Sequence, residues 1–173
     1  LATSQSGQAF ERCSDILTMG GPALFLRHTS ANSWDNAFIN FDQSGWFAAP
    51  NYVVMKLWRE NYAPLRLQLT GEQGPLNSVA TKSSDGTNLF YKVVNPTSEP
   101  VPVELTVKGS QPVASTAMKL VTADSLNTRN TLEAPNRIKP VQIKINSDGQ
   151  SVHFTLAPYS AGVVSINRKQ AIR

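Results

Sequence analysis

The sequence predicts a mainly β protein, an antiparallel β-sandwich of jelly-roll-like type preceded by a partial α/β segment. Three observations carry this prediction. From Leu65 onward, apolar and polar residues alternate in short runs. Turn-forming residues separate the runs without helical interruption. Before Pro64 the pattern is different, with helical spacing on either side of a short apolar run. The expected boundary places residues 1–62 in the α/β part and residues 63–173 in the sandwich.

Taken in order, Phe10, Cys13, Ile16 and Leu17 fall three and four apart, which predicts a helix over Gln5 to Thr18 with Cys13 in the core. Gly20, Gly21 and Pro22 stop it. Ala23 to Leu26 reads as a strand buried on both faces, with Arg27, His28 and Thr29 at its C-terminal end. A polar loop over Ser30 to Asn36 leads to an apolar patch at Ala37 to Phe41. Pro50 suits a first helical position, and Val54, Leu57 and Trp58 continue a helix through Tyr62. Helix, buried strand, loop and helix give the period of an α/β barrel or of a doubly wound sheet. So few elements cannot close a barrel and need neighbours.

Alternation then marks strands at Leu65 to Leu69, Leu89 to Val94, Val101 to Val107, Val141 to Ile145, Val152 to Leu156 and Val163 to Ile166. Turns are expected at Ser84-Asp85-Gly86, Asn95-Pro96, Lys108-Gly109 and Ser147-Asp148-Gly149. About seven short strands of this kind argue for a sandwich. The polar stretch Asp124 to Asn136 reads as a loop between sheets.

Composition narrows the function classes. The 173 residues carry 16 Lys and Arg against 12 Asp and Glu, a formal charge of +4. These basic residues are scattered and lack an interleaved aromatic platform, which argues against nucleic acid as a partner. No apolar run approaches the roughly 18–20 residues needed to cross a bilayer, so no membrane partner is expected. The opening LATSQSGQ lacks the basic start and apolar stretch of a signal peptide, and without Met it reads as trimmed. A single cysteine forms no internal disulfide and leaves the compartment open. Two histidines in different predicted domains and one cysteine support neither a zinc site nor a Cys-His nucleophile, and no cofactor is implied.

Three segments carry a family likeness in the correct order: FERCSDILTMGGPALFL at Phe10 to Leu26, the WDNAFINFD to WRENYAP stretch from Trp34 to Pro64, and NTLEAPNRIKPVQIKI joined to FTLAPYSAGVVSI. Together they resemble the C-terminal portion of an α-L-arabinofuranosidase of glycoside hydrolase family 51. The resemblance implies a retaining, exo-acting enzyme on a (β/α)8 barrel followed by a C-terminal β-sandwich. It also implies an arabinofuranosyl-containing saccharide as substrate, drawn from arabinan, arabinoxylan or oligosaccharides. In that family the acid/base and nucleophile glutamates lie near the ends of barrel strands four and seven. This chain would begin beyond both, with its first helix after strand seven and Ala23 to Leu26 as strand eight.

Retaining hydrolysis needs two carboxyl groups about 5–5.5 Å apart. Asp35 and Asp42 follow the expected strand, but a barrel remnant has no opposite wall and no preorganised field, so turn capping is the expected role and no catalytic residue is assigned. His28, Trp34 and Asn36 are the candidate substrate-binding residues in an intact barrel. His28 would contact a hydroxyl, Trp34 would pack its flat face on a sugar ring, and Asn36 would donate from its amide. Trp46 and Asn40 offer the same chemistry, although each also suits a structural role. The strand-eight glutamine that some relatives place near the sugar has no counterpart between Asp15 and Asp42. The fragment itself is expected to be structural and inactive, joining a missing barrel or a second copy. The alternative is a stand-alone carbohydrate-binding or protein-interaction sandwich. It is disfavoured because Phe90, Tyr91, Phe154 and Tyr159 are the only aromatics after Tyr62 and alternation buries most of them.

Overall fold

The computed structural model describes residues 2–21, 23–33, 37–109 and 112–168. The chain runs through helix α1 (Ala2–Arg12), three short strands β1 (Leu26–His28), β2 (Ile39–Phe41) and β3 (Trp46–Ala48), and helix α2 (Pro50–Glu60). Nine strands follow: β4 (Leu65–Leu67), β5 (Asn77–Lys82), β6 (Asn88–Asn95), β7 (Val101–Thr106), β8 (Val113–Val121), β9 (Val141–Ile143), β10 (Asn146–Asp148), β11 (Ser151–Leu156) and β12 (Ser160–Arg168). They form a six-stranded sheet in the order β4-β5-β6-β12-β8-β9 and a three-stranded sheet in the order β10-β11-β7. All pairings in both sheets are antiparallel. The fold class is therefore the expected sandwich preceded by a partial α/β segment.

Strand alternation sorts the six-stranded sheet into two faces. Tyr91, Val93, Met118, Leu120, Val164 and Ile166 pack toward Val152 and Leu156 of the smaller sheet. Full burial of each Val or Leu side chain is worth about 1.5–3 kcal/mol. Gly162 lies in this layer because an added Cβ would sit 2.9 Å from the Met118 methyl and 3.1 Å from Leu120. The opposite face presents Val94, Val121, Ala161 and Val163 to Val54, Leu57 and Trp58 of α2. The result is three layers: small sheet, large sheet, helices.

α2 starts at Pro50 as its sequence requires, with the proline at the first helical turn. α1 packs beside it, with Gly7 against the Trp58 indole, which would lie in ordinary contact, 3.5 Å, with a Cβ placed there. The helix contacts the sandwich through polar side chains, with Ser4 and Gln8 buried. This reverses the expectation drawn from spacing. The helix ends at Arg12 rather than Thr18, Cys13 is exposed rather than in the core, and Phe10 and Ile16 are 42% and 82% exposed. The physical reason is that the anchoring face hydrogen-bonds its way onto the sheet, leaving the apolar stripe on the other side.

Two further expectations are corrected. The buried strand expected at Ala23 to Leu26 begins only at Leu26, and Phe25 and Leu26 are 49% and 57% exposed. Phe25 still meets Phe38 and Tyr52 of α2 through its ring, at 6.0 and 6.3 Å. Strands β5 and β8 were not expected, because NSVATK and VASTAMKLV carry Ser, Thr, Ala and Lys where alternation looks for large apolar groups. The stretch from Asp124 to Asn136 is a loop as expected. Asn130 holds it by donating its amide to the carbonyls of Ala48 (2.8 Å) and Ile138 (3.1 Å) and accepting from the Ile138 N–H (2.6 Å).

Candidate functional site

The site expected at the end of the first strand is built by a parallel pair. β1 and β2 run side by side with Leu26 opposite Ile39, Arg27 opposite Asn40 and His28 opposite Phe41. Backbone N–H groups extend the pairing at both ends, Ile39 to Phe25 (2.9 Å) and Thr29 to Phe41 (2.9 Å). Parallel pairing of this sort belongs to α/β architecture, and the C-terminal strand ends are where such folds collect their sites.

His28 stands at that end, exposed, with its ring edge-on to Phe41 at 5.4 Å and 89°. Its Nδ1 accepts from the Ser30 backbone N–H (3.3 Å) and lies 2.8 Å from the Ser30 hydroxyl. Accepting at Nδ1 places the proton of neutral imidazole on Nε2, which is left to meet a ligand. Arg27 steadies the loop beyond by donating to the carbonyls of Ala31 (2.5 Å) and Ser33 (3.4 Å). Leu24, Leu26, Arg27, His28, Ala31 and Ser33 enclose an open depression of about 390 Å³. No described carboxylate lines it.

Trp34, Asp35 and Asn36 lie outside the described residues, so of the three candidate substrate contacts the structure places His28 alone. Asp42 is committed to its own turn: Oδ1 accepts from the Ser44 N–H (2.7 Å), the Ser44 hydroxyl (2.6 Å) and the Gly45 N–H (3.2 Å). The Ser44 hydroxyl and N–H, helped by Gly45 and by the charge of His28, hold the Asp42 carboxyl below its usual 3.8. A carboxylate whose Oδ1 takes three bonds from its own turn is a turn cap. Asn40 is buried and donates to the Ala37 carbonyl at 3.2 Å, so its amide serves the local turn. Trp46 is 62% exposed and anchors no core. Among the described residues no cluster of three or more His, Cys, Asp or Glu side chains forms a metal-binding group. Among the described residues no helix is long and apolar enough to cross a membrane.

The sequence reading missed a second polar constellation, between α1 and the sandwich. Lys92 on β6 is fully buried and forms an ion pair with Glu11. Gln8 donates to the Lys92 carbonyl at 3.0 Å, and Arg12 donates to the Asn77 side chain at 2.7 Å and the Ser78 carbonyl at 3.3 Å. Arg66 reaches back to the Arg12 carbonyl. Burial pulls the Lys92 pKa below its ordinary 10.5, and the charge and hydrogen bond of Glu11 oppose that pull. The signal was present: Lys92 shares a strand face with Phe90 and Val94, so its ammonium had to be covered.

Comparison with known proteins places this geometry. A family model described as the alpha-L-arabinofuranosidase C-terminal domain matches residues 2–160. Alpha-L-arabinofuranosidase A of Aspergillus niger is 25% identical over 162 residues, covering 91% of this chain and 25% of that protein. The chain thus spans about a quarter of the length of the curated relatives it matches. The arabinose-bound structure of a GH51 α-L-arabinofuranosidase superposes with a TM-score of 0.79 at 25% identity, over 96% of this chain and 27% of that one. The arabinose complex of the Thermotoga maritima enzyme gives a TM-score of 0.79 at 19% identity, over 95% and 37%, a likeness of fold alone.

Proposed function

The chain belongs to the alpha-L-arabinofuranosidase C-terminal domain family, and from that premise we propose that it is the C-terminal portion of a retaining, exo-acting arabinofuranosidase. The parent enzyme removes terminal arabinofuranosyl groups from arabinan, arabinoxylan or oligosaccharides. Residues 1–62 form the end of the catalytic barrel and residues 63–173 the sandwich that braces it. Both reacting carboxyl groups are supplied by polypeptide outside these 173 residues, and the portion described here is structural and inactive alone. The observation that carries the reading is the parallel pair β1-β2, a barrel-like element in which Leu26, and Phe25 just before it, remain half exposed. Such a surface is completed by the rest of a barrel, or in its absence by another copy.

In the completed barrel, His28, Trp34 and Asn36 contact the sugar. His28 donates from Nε2 to a hydroxyl, an assignment supported by its Nδ1 contacts to Ser30. Trp34 offers a ring face and Asn36 an amide. The test has two parts. The 173-residue chain should release no arabinose from an aryl α-L-arabinofuranoside, whereas steady turnover that disappears with Asp35→Asn would overturn the reading. In the full-length enzyme, His28→Ala should raise KM about tenfold by removing one hydroxyl contact worth about 1.4 kcal/mol. An unchanged KM would remove His28 from the substrate site.

A further inference from the structure

A groove of about 730 Å³ opens on the side of the molecule away from α1, and its walls come from three separate parts of the fold. One wall is the outer face of α2, where Tyr52, Lys56 and Glu60 follow at helical spacing. The facing wall is the β8-β9 ladder, in which Lys119 pairs directly with Gln142 and both are exposed on the helix side of the sheet. Trp46 of β3 closes one end with its indole 62% exposed, and Lys139 enters from the loop before β9.

The chemistry of these walls is selective. Lys56 is paired with Glu60 at 3.9 Å, which leaves Glu60 as the sole acid in the lining and that acid already matched. Lys119 and Lys139 have no acidic partner among the described residues. The groove therefore carries two unmatched positive charges beside one free aromatic face and the amides of Gln142 and Asn136. An aromatic face and amides suit a sugar ring and its hydroxyls. A neutral sugar offers the lysines only hydroxyl acceptors, whereas a carboxylate on the ring also matches their charge. A nucleic acid would need a longer basic track than two lysines provide.

We propose that this groove binds a uronate-bearing polysaccharide, stacking one ring on Trp46 and pairing carboxylates with Lys119 and Lys139. The site is separate from the His28 depression and is not catalytic. Its consequence, which rests on the arabinofuranosidase reading, is to hold the protein on an acidic glycan while arabinofuranosyl groups are removed elsewhere on that glycan.

The test is direct binding by calorimetry, so it does not depend on arabinose release and its failure leaves the arabinofuranosidase reading intact. The probes are tetragalacturonate, its full methyl ester, and neutral arabinotetraose. Tetragalacturonate should bind, with affinity falling as salt rises, and at least tenfold more tightly than the ester or the neutral oligosaccharide. Trp46→Ala and, separately, Lys119→Ser/Lys139→Ser should each weaken it about tenfold, with circular dichroism confirming retained structure. All these side chains are exposed, so the fold tolerates the changes. Three results would overturn the proposal: no binding of tetragalacturonate, equal binding of the ester, or unchanged binding by the lysine variant. Sedimentation showing that a second copy fills the groove, so that binding appears only on dissociation into monomers, would overturn it too, as would binding by this chain but not by the full-length enzyme, whose barrel would then occupy the groove.

Discussion

Removing Glu11 should unfold this protein more readily than removing almost any other surface-linked carboxylate. The Lys92 side chain is completely inaccessible and its Glu11 partner is 22% exposed. Deleting one member of a fully buried pair costs about 3–5 kcal/mol, because the survivor is left charged without compensation. Partial exposure of Glu11 lets water reach the ammonium, so Glu11→Ala should cost about 3 kcal/mol, at the lower end of that range. Lys92→Met removes the charge that needs compensating and keeps the volume. The double variant Glu11→Ala/Lys92→Met should return to within about 1 kcal/mol of the parent; with Lys92→Met alone close to neutral, the coupling energy across the cycle is about 2 kcal/mol. Urea unfolding of the four proteins, followed by circular dichroism, measures this directly. The sign of the pH dependence follows from the lowered Lys92 pKa. Between that pKa and 10.5 the unfolded chain binds more protons than the folded one, so this residue's contribution to stability rises with pH through that window and the penalty is fully present below it. A Glu11→Ala loss below about 1 kcal/mol, or a double variant no more stable than the single one, would refute the argument that the buried Lys92 ammonium depends on Glu11 for compensation.

Three other expectations can be checked with the same protein. Asn130→Ala leaves the Ile138 N–H and the Ala48 and Ile138 carbonyls without their partner and should cost about 2–3 kcal/mol in urea unfolding, whereas Asn130→Asp should rescue only the bond from Ile138. Gly162→Ala pushes a methyl group against Met118 and Leu120 and should cost about 1–3 kcal/mol; Met118→Ala in the same chain should relieve part of that strain. The Asp42 carboxyl should titrate below 3.8 by NMR, and Ser44→Ala should move it upward. The stabilisation it gives the turn is present above 3.8 and disappears as pH falls through its folded-state value.

The sandwich was legible where apolar residues alternate cleanly, as in Leu89 to Val94 and Val101 to Val107, because period two has no other good explanation in short runs. It was illegible in β5 and β8, where Ser78, Thr81 and Ala117 occupy slots in the interior of a sheet whose neighbours do the covering. Helix α2 was read from its true start to two residues past its end at Glu60, since Pro50 and the Val54-Leu57-Trp58 stripe agree with each other. The α1 stripe was misread for a physical reason: Gln8 and Glu11 bind the sandwich by a hydrogen bond and by charge, which leaves no hydrophobic signature. The same absence hid the groove. Lys119 and Gln142 meet only through strand register, and Trp46 joins them only once α2 has folded back on the sheet.

One row across the large sheet joins Val79, Lys92, Val163, Lys119 and Gln142 in register. At one end of it a helix smothers an ammonium; toward the other an equivalent ammonium is wet. Anyone transplanting this sandwich onto another scaffold by cutting after Glu60 would therefore expose the first lysine together with Val94, Val121 and Val163, and would carry over a greasy, half-charged plate rather than a module. The usable cut for chimeras lies ahead of α1, so the piece that can be swapped is larger than the piece that sequence patterning would delimit.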